Sequence, residues 1–479
     1  MSKLVASFLV VAGGAAVAGG AAHAAGSDAP RAASAVRRPH VTVAPPKTIT
    51  ITRNDIDALT ADPDGSLRVR TTGQEVNTDP DSDGELIHTA TGALRTYGAT
   101  GVAAGLVATP GTPGNELPGF GEFAYTPTGS VEAFDIEIPK SGPASPVTVH
   151  VVTRDRAGNV VGDDPLPLRN GGDREYLDAG VDHIHVGPTG AVVLEGLQGP
   201  VNPKDDNQAS WLAFKPAGAD HIGPPIALTD GSRNSFGFDA VPTPDGGALL
   251  VGFGNGQAGA YVRRVDPAGR LGAVIPLPPL PKRLDASMSY AVGPTGTLVV
   301  AFSTKPHAKR GGPPGGLYVS TLAAGSTAPS APIRVPGGAQ STAGDAPSIV
   351  VGSGDRTMIA IRRTHGGFTL LEGRPTSLEP TYAVGGSRYA DPQIVQSPGG
   401  TTTLVWSDES SHEPFRSPIL AARRPAGRAF GHVVQLTPRS VHEAGLIDVE
   451  ATAAGNVAVA YRDDERNRSY LVPALWPTA

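Results

Sequence analysis

Residues 185–196 read HVGPTGAVVLEG and residues 291–302 read AVGPTGTLVVAF. Each phrase sets an apolar run, a turn carrying Pro and Gly, and a second apolar run in succession. This is a β-hairpin pattern, in which Pro fixes one turn φ and Gly takes the positive φ that other residues resist. Aligned on the Gly that closes the turn, the phrase occurs eight times: DALTADPDGSLRVR (Gly65), FAYTPTGSVEAF (Gly129), HIHVGPTGAVVLEG (Gly190), AVPTPDGGALLVGF (Gly246), AVGPTGTLVVAF (Gly296), SIVVGSGDRTMIAI (Gly354), QIVQSPGGTTTLVW (Gly399) and VEATAAGNVAVAY (Gly455). The intervals run from 45 to 64 residues, and self-similarity at such a period marks a repeat architecture.

A second hairpin follows in several units, as in HVVTRDRAGNVVGDDPL (150–166), LAFKPAGADHIGPPIAL (212–228), YVRRVDPAGRLGAVIPL (261–277) and LAARRPAGRAFGHVVQL (420–436). The unit is therefore four strands. A four-stranded unit cannot cover its own apolar faces, and stacking neighbours radially buries them. The expected fold class is all-β, a β-propeller of seven or eight four-stranded blades spanning 48–479. Eight turn phrases count eight blades. Seven is the alternative, because the first region (48–119) lacks the PAG hairpin. Ring closure asks the two ends of the chain to share a blade, and KTITITR (47–53) is matched to YLVPALW (470–476).

Bulk properties agree. A chain of 479 residues exceeds one ordinary core, and 62 Gly with 46 Pro supply many turns. A net charge of −6 without a basic run argues against nucleic acid or an anionic membrane as partner. Residues 1–24 have the layout of a secretory signal: Lys3, then an apolar Ala/Gly-rich segment, then Ala22-His23-Ala24 as the cleavage site. Residues 25–47 read as a linker, and no second apolar stretch long enough to span a bilayer follows. The chain is expected to be secreted, extracellular or at the cell envelope, as a monomer. With no cysteine, the fold must stand without disulfides.

The stretch AVPTPDGGALLVGFGNGQAGAYVRRVDPAGRLG (240–272) resembles the delta-sixty propeller repeats of secreted bacterial surface proteins. The stretch YADPQIVQSPGGTTTLVWSDES (389–410) is similar to blades of sialidase-like propellers. The resemblance covers roughly 120–479 and implies an exported, adhesive or scaffolding propeller. It implies no substrate.

In a four-stranded blade the second-to-third and between-blade connections share one end. Here they vary widely, as in 137–146, 197–209, 304–316, 407–417 and 462–469, whereas the first-to-second and third-to-fourth turns are expected to be tight. Scaffolds carry recognition on such variable loops, so a protein or polysaccharide partner is expected there. An acidic residue opens many first strands (Asp57, Glu122, Asp182, Asp239, Asp345, Asp391 and Asp448). These carboxylates either ring a channel mouth or cap the backbone where the strand begins. His183 and His185 alternate onto one strand face, where both imidazoles can meet one ligand or transition metal. The stretch TDPDSDGEL (78–86) presents Asp79, Asp81 and Asp83 at alternate positions, with Glu85 following Gly84. Oxygen ligands at that spacing suit calcium, although Ile87 and Ala90 stand where a full calcium loop has its ninth and twelfth ligands. Trp211, Trp406 and Trp476 fall at strand positions and read as core packing.

No catalytic residues are assigned. PIRVP (332–336) is similar to the Arg-Ile-Pro motif of sialidases but lies mid-chain, and no S-x-D-x-G-x-x-W box, G-x-S-x-G elbow or H-E-x-x-H helix occurs. The residues favour non-enzymatic binding over a glycoside-acting hydrolase or lyase that uses acids at the channel mouth.

Overall fold

The structure is a computed structural model. It describes residues 48–475 except the segments 52–53, 64–66, 74–83, 89–93, 99–117, 137–146, 169–179, 199–208, 229–237, 254–259, 280–283, 307–315, 337–345, 364–365, 386–389, 409–416, 438–443, 453–454 and residues 464, 467 and 474.

The chain is all-β and has the architecture of a β-propeller, with eight four-stranded antiparallel sheets. Strands in blades 1–7 are ordered as they occur in the chain. Blade 1 spans 54–98, blade 2 118–168, blade 3 180–228, blade 4 238–276, blade 5 284–334, blade 6 348–384 and blade 7 392–435. Blade 8 takes three strands from 444–472 and its fourth from Ile49–Ile51, which pairs with Arg468–Val472. Among the described residues eight such sheets are present, not seven. The chain divides into two compact units, one of residues 51–277 with blades 1–4, the other of residues 1–50 and 278–479 with blades 5–8.

Inside each unit the first strands of successive blades lie against one another, from Pro118–Thr126 through Gly180–Val186 to Phe238–Pro242, and from Leu284–Val292 through Ser348–Val351 and Pro392–Gln396 to Ala444–Ala451. The second and third strands of a blade are sandwiched between its neighbours. Their apolar residues are accordingly near-continuous: Ala209–Lys215 is buried at every position. Strand Val160–Leu168, a fourth strand, alternates exposed and buried instead. Alternate residues of one strand feed different interfaces. Ile184, Val192, Leu194, Trp211 and Ala213 pack toward blade 2, while Ala191, Val193, Leu212 and Phe214 pack toward blade 4. The same division joins blade 5 to 6, 6 to 7 and 7 to 8.

The turn reading holds in its mechanism and shifts in two residues. Gly190, Gly246, Gly296, Gly354 and Gly455 all have positive φ. In SPGG the left-handed residue is Gly400, not Gly399. In blade 2 the turn is Pro127–Thr128, and Gly129 already begins the strand opposite Thr126. Gly is required there for space, since an added Cβ would run into the Arg154 carbonyl. The third-to-fourth turns close tightly on Gly158, Gly218, Gly269, Gly325 and Gly427. In blades 3, 4, 5 and 7, however, the return segment first makes one ladder-like bond (Gly223 N–H to Phe214 O, Gly272 to Arg264, Ser330 to Thr321, Gly431 to Arg423) and forms its short fourth strand only afterwards. These connections are longer than the expected uniform tight turns, because the outer edge of a blade meets solvent and little apolar surface enforces continuous pairing there.

Candidate functional site

The chemically richest described cluster lies between blades 3 and 4. The hairpin register places His183 opposite Glu195 and His185 opposite Val193, so all four side chains share one face of blade 3. His185 Nε2 reaches diagonally to Glu195 Oε1 at 3.0 Å, and Asp239 Oδ1 from the first strand of blade 4 stands 3.9 Å from the same nitrogen. The three side chains are at most about a tenth exposed, and their ligand atoms lie within 4.8 Å of one another. His183 stays close, with its ring centre 5.7 Å from that of His185.

Burial governs the charges here. It pushes the Glu195 carboxyl well above the usual carboxylate range, the nearby Asp182 charge adds to the shift, and an N–H bond from Ala240 opposes it. Burial pushes His185 down, Asp239 opposes this shift and Arg68 adds to it. Burial thus disfavours the charged form of both partners in the 3.0 Å contact. Arg68 itself is tied to Asp62 at 3.0 Å and donates to the Ile184 carbonyl at 2.8 Å, while Asp62 also accepts from the Tyr125 N–H at 3.0 Å. This buried pair links blade 1 to blades 2 and 3.

Blade 8 carries a second buried acid pair. Asp448 and Glu450 are 5% and 3% exposed, and Asp448 Oδ1 accepts from the Val449 N–H at 2.7 Å. Asp448 lies inside strand Ala444–Ala451, beside a register shift, rather than at the strand entry where a capping acid was expected. Burial, then the Asp448 charge, pushes Glu450 well above its ordinary range. A carboxyl whose folded-state pKa is raised keeps its proton in the native state after the unfolded chain has lost it, so stability is full below the ordinary carboxylate range and falls as pH rises toward the raised value. Each pH unit between the two titrations is worth about 1.4 kcal/mol. Thermal melts of Glu450→Gln are therefore expected to match the parent near pH 4 and to exceed it by several degrees at pH 8. A parent advantage at pH 8 would reverse this account.

The other foreseen residues are scattered. Asp391 is exposed at the start of its strand. Asp345 and the calcium-like Asp79, Asp81 and Asp83 lie outside the described residues, as do Trp476 and the side chains of Asp57 and Glu85. Trp211 and Trp406 are fully buried, in keeping with core packing. Arg334 of the sialidase-like PIRVP sits on an exposed fourth strand, far in the blade from its first strand. Glu195 was not singled out by motif. The signal that points to it is the hairpin register itself, since a turn centred on Gly187–Ala191 sets Glu195 across from His183. The variable connections 199–208, 307–315 and 409–416 each join a second strand to a third, at the blade end where first strands begin.

No protein-family model matches the chain, and no curated protein matches it. Among solved structures it is similar to an ulvan lyase of a polysaccharide lyase family (TM-score 0.42, 10% identity, 82% of this chain and 98% of that one). It is also similar to a lectin from Burkholderia pseudomallei (TM-score 0.41, 12% identity, 80% and 100%). A third similar structure is the β-propeller domain of the Trilobed protease from Pyrococcus furiosus (TM-score 0.39, 10% identity, 75% and 100%).

Proposed function

We propose that the protein is an exported binding propeller that takes a polysaccharide or protein partner at the blade end where the second-to-third and between-blade connections gather, without turning it over. The observation behind this reading is the asymmetry of the blades. Most turns at one end close on a left-handed Gly within a few residues, whereas at the other end several connections, among them 199–208, 307–315 and 409–416, are long and unlike one another in sequence, with blade 6 the exception, where 363–367 closes on Gly366 and Gly367. A rigid frame with one invariant and one variable end is how scaffolds separate stability from recognition. Export follows the leader-like residues 1–24, and calcium at Asp79, Asp81, Asp83 and Glu85 belongs to the same proposal as a structural ion near the first blade. Among the described residues no helix is long and apolar enough to cross a membrane.

A glycan array probed with the purified full chain tests the reading. Retention of one glycan class is expected, weakened about tenfold or more when 199–208 is replaced by a Gly-Ser linker of equal length and unchanged in Thr189→Ser at the invariant end. Release of shortened or unsaturated sugars from the array would replace binding with a glycoside-acting activity.

A further inference from the structure

The cluster between blades 3 and 4 gathers three potential ligands, His185, Glu195 and Asp239, from three strands, with Asp182 adding a further nearby charge. Glu195 is 4% exposed, and its Oε2 meets no hydrogen-bond partner among the described residues. A buried carboxylate oxygen left in this way calls for a donor or a cation.

The geometry suits a cation. Donor atoms on one tetrahedral ion at 2.0–2.2 Å stand roughly 3.4 Å apart. His185 Nε2 lies 3.0 Å from Glu195 Oε1 and 3.9 Å from Asp239 Oδ1, on either side of that separation, and the three ligand atoms lie within 4.8 Å of one another, so a small side-chain adjustment brings all three onto one ion. The donor set of one imidazole nitrogen and two carboxylates suits zinc, which accepts N and O ligands in a set of four; calcium asks for six to eight oxygens. The ligands come from the first and second strands of blade 3 and the first strand of blade 4, so an ion held by them spans the seam between two sheets. The Ala240 N–H, from the residue after Asp239, bonds Glu195 and so steadies that ligand from blade 4.

We propose that His185, Glu195 and Asp239 form a site for one divalent ion of the zinc class, which clamps blade 3 to blade 4 and keeps a fourth position for water. The His183–His185 pair expected from strand alternation is thus replaced by one of its members and two acids brought by other strands. The charge of the ion offsets the two carboxylates.

Zinc titration of the chelator-treated full chain by calorimetry, with Co²⁺ substitution followed by visible absorption, tests the site. One equivalent is expected, with Co²⁺ bands of a four-coordinate centre and a higher melting temperature for the zinc form. Glu195→Gln and Asp239→Asn, near-isosteric changes, should each weaken zinc by about a hundredfold or more while the metal-free melting temperature stays at or above the parent's, whereas Asp81→Asn should leave zinc affinity unchanged. Absence of both heat and Co²⁺ bands in the parent chain overturns the site. So does parental affinity in both cluster variants, and if either variant fails to fold, the parent's Co²⁺ stoichiometry and spectrum decide alone.

Discussion

Asp62→Ala is expected to destabilise the 51–277 unit by about 3–5 kcal/mol, the cost of stranding one member of a buried ion pair. Asp62 and Arg68 are 1% and 3% exposed, and the guanidinium Nε donates to Asp62 Oδ1 at 3.0 Å. The cost is concentrated because the pair bridges three blades: Arg68 also holds the Ile184 carbonyl of blade 3, and Asp62 holds the Tyr125 N–H of blade 2. Removing the carboxylate strips Arg68 of a counter-charge it cannot find in water and orphans a buried N–H. A double replacement by apolar residues, Asp62→Leu with Arg68→Met, should recover much of the loss, since the pair must repay a large desolvation penalty before it stabilises anything. Denaturant midpoints for both variants separate these terms. A cost below about 1 kcal/mol for Asp62→Ala would show that the pair behaves as a solvated surface contact.

Trp211→Ala is expected to cost a similar amount, about 3–5 kcal/mol, for a different reason. The indole is fully buried in the core between blades 2 and 3, among Val131, Val151, Ile184 and Leu194. Its truncation leaves a cavity that strands paired on both sides cannot close. Its Nε1–H also bonds the carbonyls of Gly180 and Leu197 at 3.1 and 3.0 Å, binding the start of the first strand to the end of the second. Trp211→Phe keeps most of the apolar contact and loses those bonds, so a loss of about 1–3 kcal/mol is expected. Trp406 provides the control. It is equally buried, with its ring edge against Phe368, but its Nε1 has no partner among the described residues, so Trp406→Phe should be the milder of the two Phe substitutions. Equal losses for the two Phe variants would remove the hydrogen-bond part of the argument.

Much of the frame was legible because its cause is local. A positive-φ Gly is a demand of the turn itself, and it closes the first hairpin of blades 3–8 whatever packs around it. Where the turn had two candidate glycines, as in SPGG, the spacing was not enough: which residue turns left-handed depends on the register of the strands it joins, and Ser397 N–H bonding to the Thr401 carbonyl fixes Gly400. The closing strand was readable for the same reason as the turns. KTITITR, β-branched and alternating, must pair with some edge, and Arg468–Val472 is the edge that its Ile49–Ile51 meets.

The site divides along the same line. His183, His185, Asp182 and Asp239 stood out because they interrupt apolar strands, and alternation correctly put the two histidines on one face. What they do there was not legible. Glu195 joins His185 through a hairpin pairing ten residues long, and Asp239 arrives from the next blade, 54 residues further on. By itself the sequence determined the strand-turn-strand unit, its repetition along the chain and the apolar stripe each strand must bury, because these follow from backbone preferences and side-chain period within a few residues, while the count of seven or eight blades stayed open. Only the tertiary structure decided which acids are buried together, which cation answers them and which are left with a raised pKa, because desolvation and charge coupling act through space between blades and are invisible to any local pattern.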